Sequence, residues 1–181
     1  KLIDLDGKTV LPGFIDSHAH LSAGTAYVNG VDMYGLKNKS DWLKEVEQKS
    51  KQIDSKNWII GGRWDHTLEK SDKLPTKEDL DDLNISRPIA LVDIDGHSLW
   101  INSAAIELVE EFHGISLALA EGAVVNSDGE FTGILKENAR DFVLKHPGYI
   151  DATSLRRGAM LNVLNYASSM GITSAHDMSS L

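Results

Sequence analysis

The chain has 181 residues, with 27 acidic against 18 basic side chains, a formal net charge of −9, 41% hydrophobic residues and no cysteine. That composition fits a soluble, cytoplasmic globular protein and excludes wholesale disorder, a disulfide framework, a zinc finger and a thiol nucleophile. The acidic balance argues against nucleic acid as a partner. No apolar run approaches the ~20 residues of a membrane span, and the length falls short of the ~200 residues that a closed (β/α)8 barrel needs at minimum.

Lys1–Lys8 reads as a short strand running into a turn at Asp6-Gly7, followed by β-prone Thr9-Val10-Leu11 and a stop at Pro12-Gly13. Phe14–Leu21 reads as the next strand. The spacing predicts a helix over Ser40–Ile53, capped by Ser40, with Trp42, Leu43, Val46 and Ile53 on one face. Trp58–Trp64 reads as a strand opening into a glycine-rich turn at Gly61-Gly62, and Thr76-Lys77-Glu78-Asp79 as an acidic capping box. Pro88–Ile94 is the most apolar short run and predicts a buried strand, with a further stretch at His97–Ile101. Asn102-Ser103 caps a helix that Gly114 stops. Val124-Val125 and Glu130-Phe131-Thr132 flank the hairpin signal Ser127-Asp128-Gly129. A helix over Leu135–Leu144, a long helix over Thr153–Met170 and a strand over Ile172–Asp177 complete the chain. The fold class is α/β with an inserted mixed region.

The sharpest chemical feature is His18-Ala19-His20. Side chains two apart on a strand point the same way, about 7 Å apart along the backbone. Two such imidazoles can converge on one divalent ion, and Asp16, on the same face, could orient a ligand from behind. The bland alternative is a pair of satisfied surface histidines. A serine-hydrolase reading lacks a Gly-x-Ser-x-Gly elbow, and no P-loop or dinucleotide fingerprint is present.

Leu11-Pro12-Gly13-Phe14-Ile15-Asp16-Ser17-His18-Ala19-His20-Leu21 resembles the first barrel strand of the metal-dependent amidohydrolase superfamily. Gly61–His66, Asp95–Ser103, Gly129–Glu137 and Gly171–Met178 then occur in an order similar to that of the amidohydrolase-3 branch, which includes N-substituted formamide deformylase-like proteins. The resemblance implies a partial (β/α)8 amidohydrolase barrel, its first two strands only, with a large inserted α+β region. Residues 1–11 would end a flanking β-domain and 12–36 carry the first barrel strand and its loop. The insertion would span 37–150, and 151–181 would supply a helix and the second barrel strand. His18 and His20 are the implied ligands of a divalent metal, zinc by expectation, with the remaining ligands and the general acid/base on later strands beyond Leu181. The implied reaction is hydrolysis of a C–N bond in a small amide or formamide by metal-activated water.

Other residues carry weaker expectations. Trp64 and Asp65, after the glycine pair, are candidates for a pocket wall, the alternative being a core tryptophan and a surface pair Arg63–Asp65. His97 follows a turn and His176 and Asp177 end a strand, so all three are candidates to line the substrate pocket. Glu137 reads as a helix-start glutamate, and His66, His113 and His146 as exposed. The chain is accordingly expected to be a fragment of a hydrolase, inactive alone. The alternative is a non-catalytic binding or oligomerisation module. Two unpaired barrel strands would expose apolar faces and open edges, which predicts self-association or disorder of the first and last ~20 residues.

Overall fold

The computed structural model describes residues 2–54, 56–68, 74–154 and 156–178. Its centre is a six-stranded mixed sheet. Strands β2 (Val31–Asp32), β3 (Ile59–Trp64) and β4 (Ile89–Asp93) run parallel; β5 (Ser98–Ile101), β6 (Ala123–Val125) and β7 (Phe131–Lys136) complete it antiparallel, in the order β2-β3-β4-β5-β7-β6. A separate parallel pair joins β1 (Phe14–Ala19) to β8 (Ile172–Asp177). Helix α1 (Leu21–Asn29) leads from β1 to β2 and packs on α7 (Arg156–Ser169), which leads into β8.

Both faces of the large sheet are buried, which explains why its strands read as continuous apolar runs. Neighbouring residues go to opposite sides. Ile60, Ala90, Leu99, Ile101 and Leu135 meet Ala105 and Val109 of α4 (Ser103–His113) and Val143 of α5 (Asp141–Leu144). Ile59, Ile89, Leu91, Trp100 and Ile134 meet Trp42 and Val46 of α2 (Lys39–Ser50) and Leu80 of α3 (Lys77–Asp81). The fully buried aliphatic side chains each contribute about 1.5–3 kcal/mol of transfer free energy. Asn102 caps α4 by accepting from the amide of Ala105, while Gly114 ends it at φ 65°. The capping box at Thr76 forms as read.

Several expectations are corrected. Residues 2–10 contain the turn at Asp6-Gly7, where the amide of Lys8 donates to the carbonyl of Leu5, but no strand. None of the described strands pairs there, and an extended segment without a partner is not a strand. The cap of α2 is Asn38, whose side chain accepts from the amide of Asp41, so the helix starts before Ser40. Gly61-Gly62 is not a turn: β3 runs straight through it. The expected helix from Leu135 is instead the end of β7, a 3₁₀ turn over Glu137–Arg140 and the short α5, because Leu135 is committed to the core. Pro147 opens a helix, α6 (Pro147–Ser154), as suits its fixed φ and missing N–H. His113 and His146 are half-buried rather than exposed; His113 Nε2 lies 2.9 Å from the carbonyl oxygen of Phe142.

The two end strands are not unpaired. Phe14 faces Ile172 and Ala19 faces Asp177 in the parallel register, and each satisfies the other's inner edge. Their faces are nevertheless open: Phe14 and Ile15 are 60% and 71% exposed, and Leu161 and Tyr166 of α7 are also exposed. No helix among the described residues is long and apolar enough to cross a membrane.

Candidate functional site

Strand β1 ends at Ala19, and His20 is the residue that enters α1. The extended backbone turns His18 and His20 to one side, with ring centroids 5.4 Å apart in an edge-to-face arrangement. Both are exposed. Asp16 lies two residues deeper, and its Oδ1 accepts from the backbone amide of His18 at 3.0 Å, so it braces the chain beneath that histidine. Because β8 lies parallel to β1, with Asp177 opposite Ala19, His176 and Asp177 arrive at the same end as the histidine pair. Asp177 Oδ2 accepts from both the amide (3.0 Å) and the hydroxyl (2.8 Å) of Ser22, which ties β8 to the first turn of α1. Among the described residues no group of three or more His, Asp or Glu side chains is arranged to hold a metal ion.

The other candidates stand at the carboxyl ends of β3 and β4. Here β3 carries a bulge: Gly62 faces Val92 and Trp64 faces Asp93, leaving Arg63 as the extra residue, at φ 63°. The bulge reverses the alternation, so Trp64 turns to the side of Ile59 rather than that of Ile60. The structure therefore puts Trp64 in the core, not on a pocket wall. Its indole N–H donates to the carbonyl of Leu91 at 3.0 Å, and its ring lies 6.1 Å from those of Trp42 and Trp100. Arg63 pairs with Asp32, not Asp65: its Nε donates to Asp32 Oδ1 at 2.9 Å, and the guanidinium stacks over Tyr27 and Tyr34. Asp65 accepts from the amide and hydroxyl of Thr67 and closes a turn. His97 is exposed, with Nδ1 3.3 Å from Glu137 Oε2. Glu137 sits at φ 48°, with its amide donating to the carbonyl of His97.

One pair at this edge escaped the sequence. His66 Nδ1 lies 2.8 Å from Oδ2 of Asp93, whose side chain is fully buried. Burial raises the Asp93 carboxyl above its ordinary value and the charge of Asp95 adds to this, while the contact with His66 opposes it. The available signal was an aspartate inside the apolar run Ile89–Ile94, since an acidic side chain is almost never fully buried without a partner. A cleft of about 590 Å³ opens elsewhere: Thr25, Val28, Lys49, Asp54 and Trp58 line it, and none of the sequence-derived candidates does.

The histidine pair thus stands at the end of a parallel β-pair, beside a mixed sheet. The comparisons make the assignment specific. The amidohydrolase family model matches residues 1–180, and the chain belongs to that family, in its amidohydrolase-3 branch. It is 32% identical over 149 residues to N-substituted formamide deformylase of Arthrobacter pascens, covering 79% of this chain and 27% of that protein. It is 30% identical over 181 residues to the protein LONG AFTER FAR-RED 3 of Arabidopsis thaliana, covering 97% of this chain and 30% of that protein. Among solved structures, a metal-dependent hydrolase from Pyrococcus furiosus superposes with a TM-score of 0.62 at 26% identity, over 93% of this chain and 32% of the other. The chain thus spans less than a third of the length of these relatives.

Proposed function

We propose that this protein belongs to the working part of a metal-dependent hydrolase of C–N bonds, acting on small amides or formamides in the cytoplasm, with His18 and His20 as two ligands of a divalent ion, preferably zinc. The observation that carries the reading is the pair of imidazoles at the end of β1, 5.4 Å apart, at the same end of the parallel pair as His176 and Asp177. Their donor chemistry fits zinc or a similar ion, while the described residues add no third donor in position. An ion held there would supply Lewis acidity towards water and an amide carbonyl. The chain's own residues fix the ligands: Asp16 holds the backbone at His18, and Asp177 clamps Ser22 and so the helix start that follows His20. On this reading β1 and β8 are neighbouring strands of an amidohydrolase barrel, 1–11 ends a flanking β-domain and 37–150 is an insertion. His97, His176, Asp177 and Asp65 remain candidates to meet the substrate.

With two ligands, the protein is expected to bind metal weakly and to hydrolyse no amide by itself. Titration with cobalt(II), followed by its visible spectrum, should give weak binding that His18→Ala and His20→Ala each lower at least about tenfold. Unchanged binding in both variants overturns the ligand assignment. Chelator-sensitive amide hydrolysis that is lost in His18→Ala overturns the expectation of inactivity.

A second reading, a non-catalytic binding or oligomerisation module, is favoured by one observation: Phe14 and Ile15 of β1 and Leu161 and Tyr166 of α7 are large, apolar and exposed. The protein is expected to self-associate through these side chains, and Phe14→Glu with Leu161→Glu should return it to monomer in sedimentation velocity. A wild-type monomer at tens of micromolar rules that out.

A further inference from the structure

Apart from the histidine pair at the end of β1, the rim at the carboxyl ends of β3 and β4 carries a second arrangement able to move a proton. We propose that His66, oriented by Asp93, is a general base on this rim, taking a proton from a water that attacks an activated acyl carbon. The inference stands on the inserted sheet alone and does not depend on the metal assignment.

Asp93 is the last residue of β4, and its carboxyl group is fully buried with Oδ2 2.8 Å from His66 Nδ1. A carboxylate in that position accepts a hydrogen bond from Nδ1–H, so the ring's other nitrogen, Nε2, keeps its lone pair. The His66 side chain is 43% exposed, which gives solvent and small molecules access to the ring. Among the described residues Asp93 Oδ1 has no hydrogen-bond partner. His66 is the side chain that meets the other oxygen of this carboxyl group, Oδ2. Buried charge interacts far more strongly than charge in water, which separates this pair from His97–Glu137, where both side chains are exposed and 3.3 Å apart. Burial also raises Asp93, making it a stronger acceptor for the Nδ1 proton.

The surroundings hold the ring in place. The amide of Ile94 donates to the carbonyl of Trp64, locking the end of β4 to the bulged end of β3. The buried Trp64 ring lies edge-on to His66 at 6.2 Å, and Asp65 and Thr67 close the turn that presents it. The carboxyl ends of parallel strands are also where open α/β sheets bind ligands. Here β4 is the last parallel strand before antiparallel β5.

In the proposed step a proton passes from water to Nε2 as the water oxygen bonds to the acyl carbon. The leaving group departs with its bonding electron pair, Asp93 stabilises the imidazolium, and its proton and that of the new carboxylic acid are then released to solvent. Asp93 acts as a positioning residue. The probe is p-nitrophenyl acetate, hydrolysed to acetate and p-nitrophenolate by the protein in the presence of EDTA, which removes metal chemistry from the measurement. His66→Gln and Asp93→Asn should each lower this chelator-insensitive rate at least about tenfold, at the low end of what a positioned base supplies. Long-range 1H–15N spectra of the wild type at pH 8 should give the Nδ1–H tautomer for His66, and Asp93→Asn should lose it. Circular dichroism checks the fold of each variant. Since His66→Gln removes only a part-exposed ring, it carries the kinetic test even if Asp93→Asn does not fold. An Nε2–H tautomer in the wild type, or a His66→Gln rate equal to wild type, overturns the proposal.

Discussion

Replacing Gly62 by alanine is expected to abolish cooperative folding of the six-stranded sheet. Gly62 lies at φ 135° in the middle of β3, paired with Asp32 on one side and Val92 on the other. A Cβ at this position would stand 2.0 Å from the carbonyl oxygen of Val92 and 2.4 Å from its nitrogen. These are backbone atoms of a fully packed neighbouring strand, so no side-chain rotation relieves the clash. Gly61 meets the same obstacle from Val31, with a built Cβ 2.0 Å from its carbonyl oxygen. A cost above about 4–5 kcal/mol is exceptional for a point substitution, but it is the expected range here, and it rivals the ~5–15 kcal/mol that holds a typical domain together. Urea unfolding followed by tryptophan fluorescence reads the result, since three of the four tryptophans flank this sheet core. Gly129→Ala is the matched comparison: φ is 83°, but nothing lies within 4 Å of the added carbon, so the cost is only the ~1–2 kcal/mol of the left-handed backbone. Equal midpoints for the two variants would mean that the strand approach at Gly62 is not what the glycine serves.

That glycine pair also marks where local reading stops working. In sequence, Gly61-Gly62 has the composition of a turn; in the fold, the same absence of side chains lets β2 and β4 approach on either side. The competing influence is tertiary, and it lies in residues 30 positions away. Where the determinant is local, the reading holds: Asn102 caps α4, Gly114 stops it in the left-handed region, and Thr76 with Asp79 closes the box before α3. Buried strands were legible because both faces of the sheet are covered, so Ile89-Ala90-Leu91 carries no polar alternation to confuse it.

The site divides in the same way. His18 and His20 declare themselves because a spacing of two on a strand is a statement about direction, and the pairing of β1 with β8 adds His176 and Asp177 only once the chain has folded back. The pair His66–Asp93 is invisible at the level of spacing, since its members are 27 residues apart and each is ordinary alone. The bulge at Arg63 brings them together, and a bulge is a property of two strands in register rather than of either one. Trp64 was ambiguous for this reason: simple alternation from Ile60 sends its ring to one side of the sheet, and one inserted residue sends it to the other.

Trp64→Ala is therefore expected to act on stability rather than on ligand binding. The indole is fully buried, in contact range of Trp42 and Trp100, and its N–H satisfies the carbonyl of Leu91. Truncating a buried tryptophan costs about 3–5 kcal/mol through lost transfer energy and the cavity left behind. A carbonyl left without its donor adds about 1–3 kcal/mol unless water reaches it. Trp64→Phe should recover most of the packing but not the hydrogen bond, and so fall between alanine and wild type. Chemical unfolding of the three proteins orders them directly. A pocket-wall tryptophan would behave differently, leaving the unfolding midpoint in place. The truncation also removes the ring that packs edge-to-face against His66, so the core and the rim above it are physically connected. Loosening the core beneath the rim should lower the chelator-insensitive rate carried by His66 even where the protein still folds, while Trp42→Phe, at a ring 6.1 Å from that of Trp64, should cost stability and leave the rate alone.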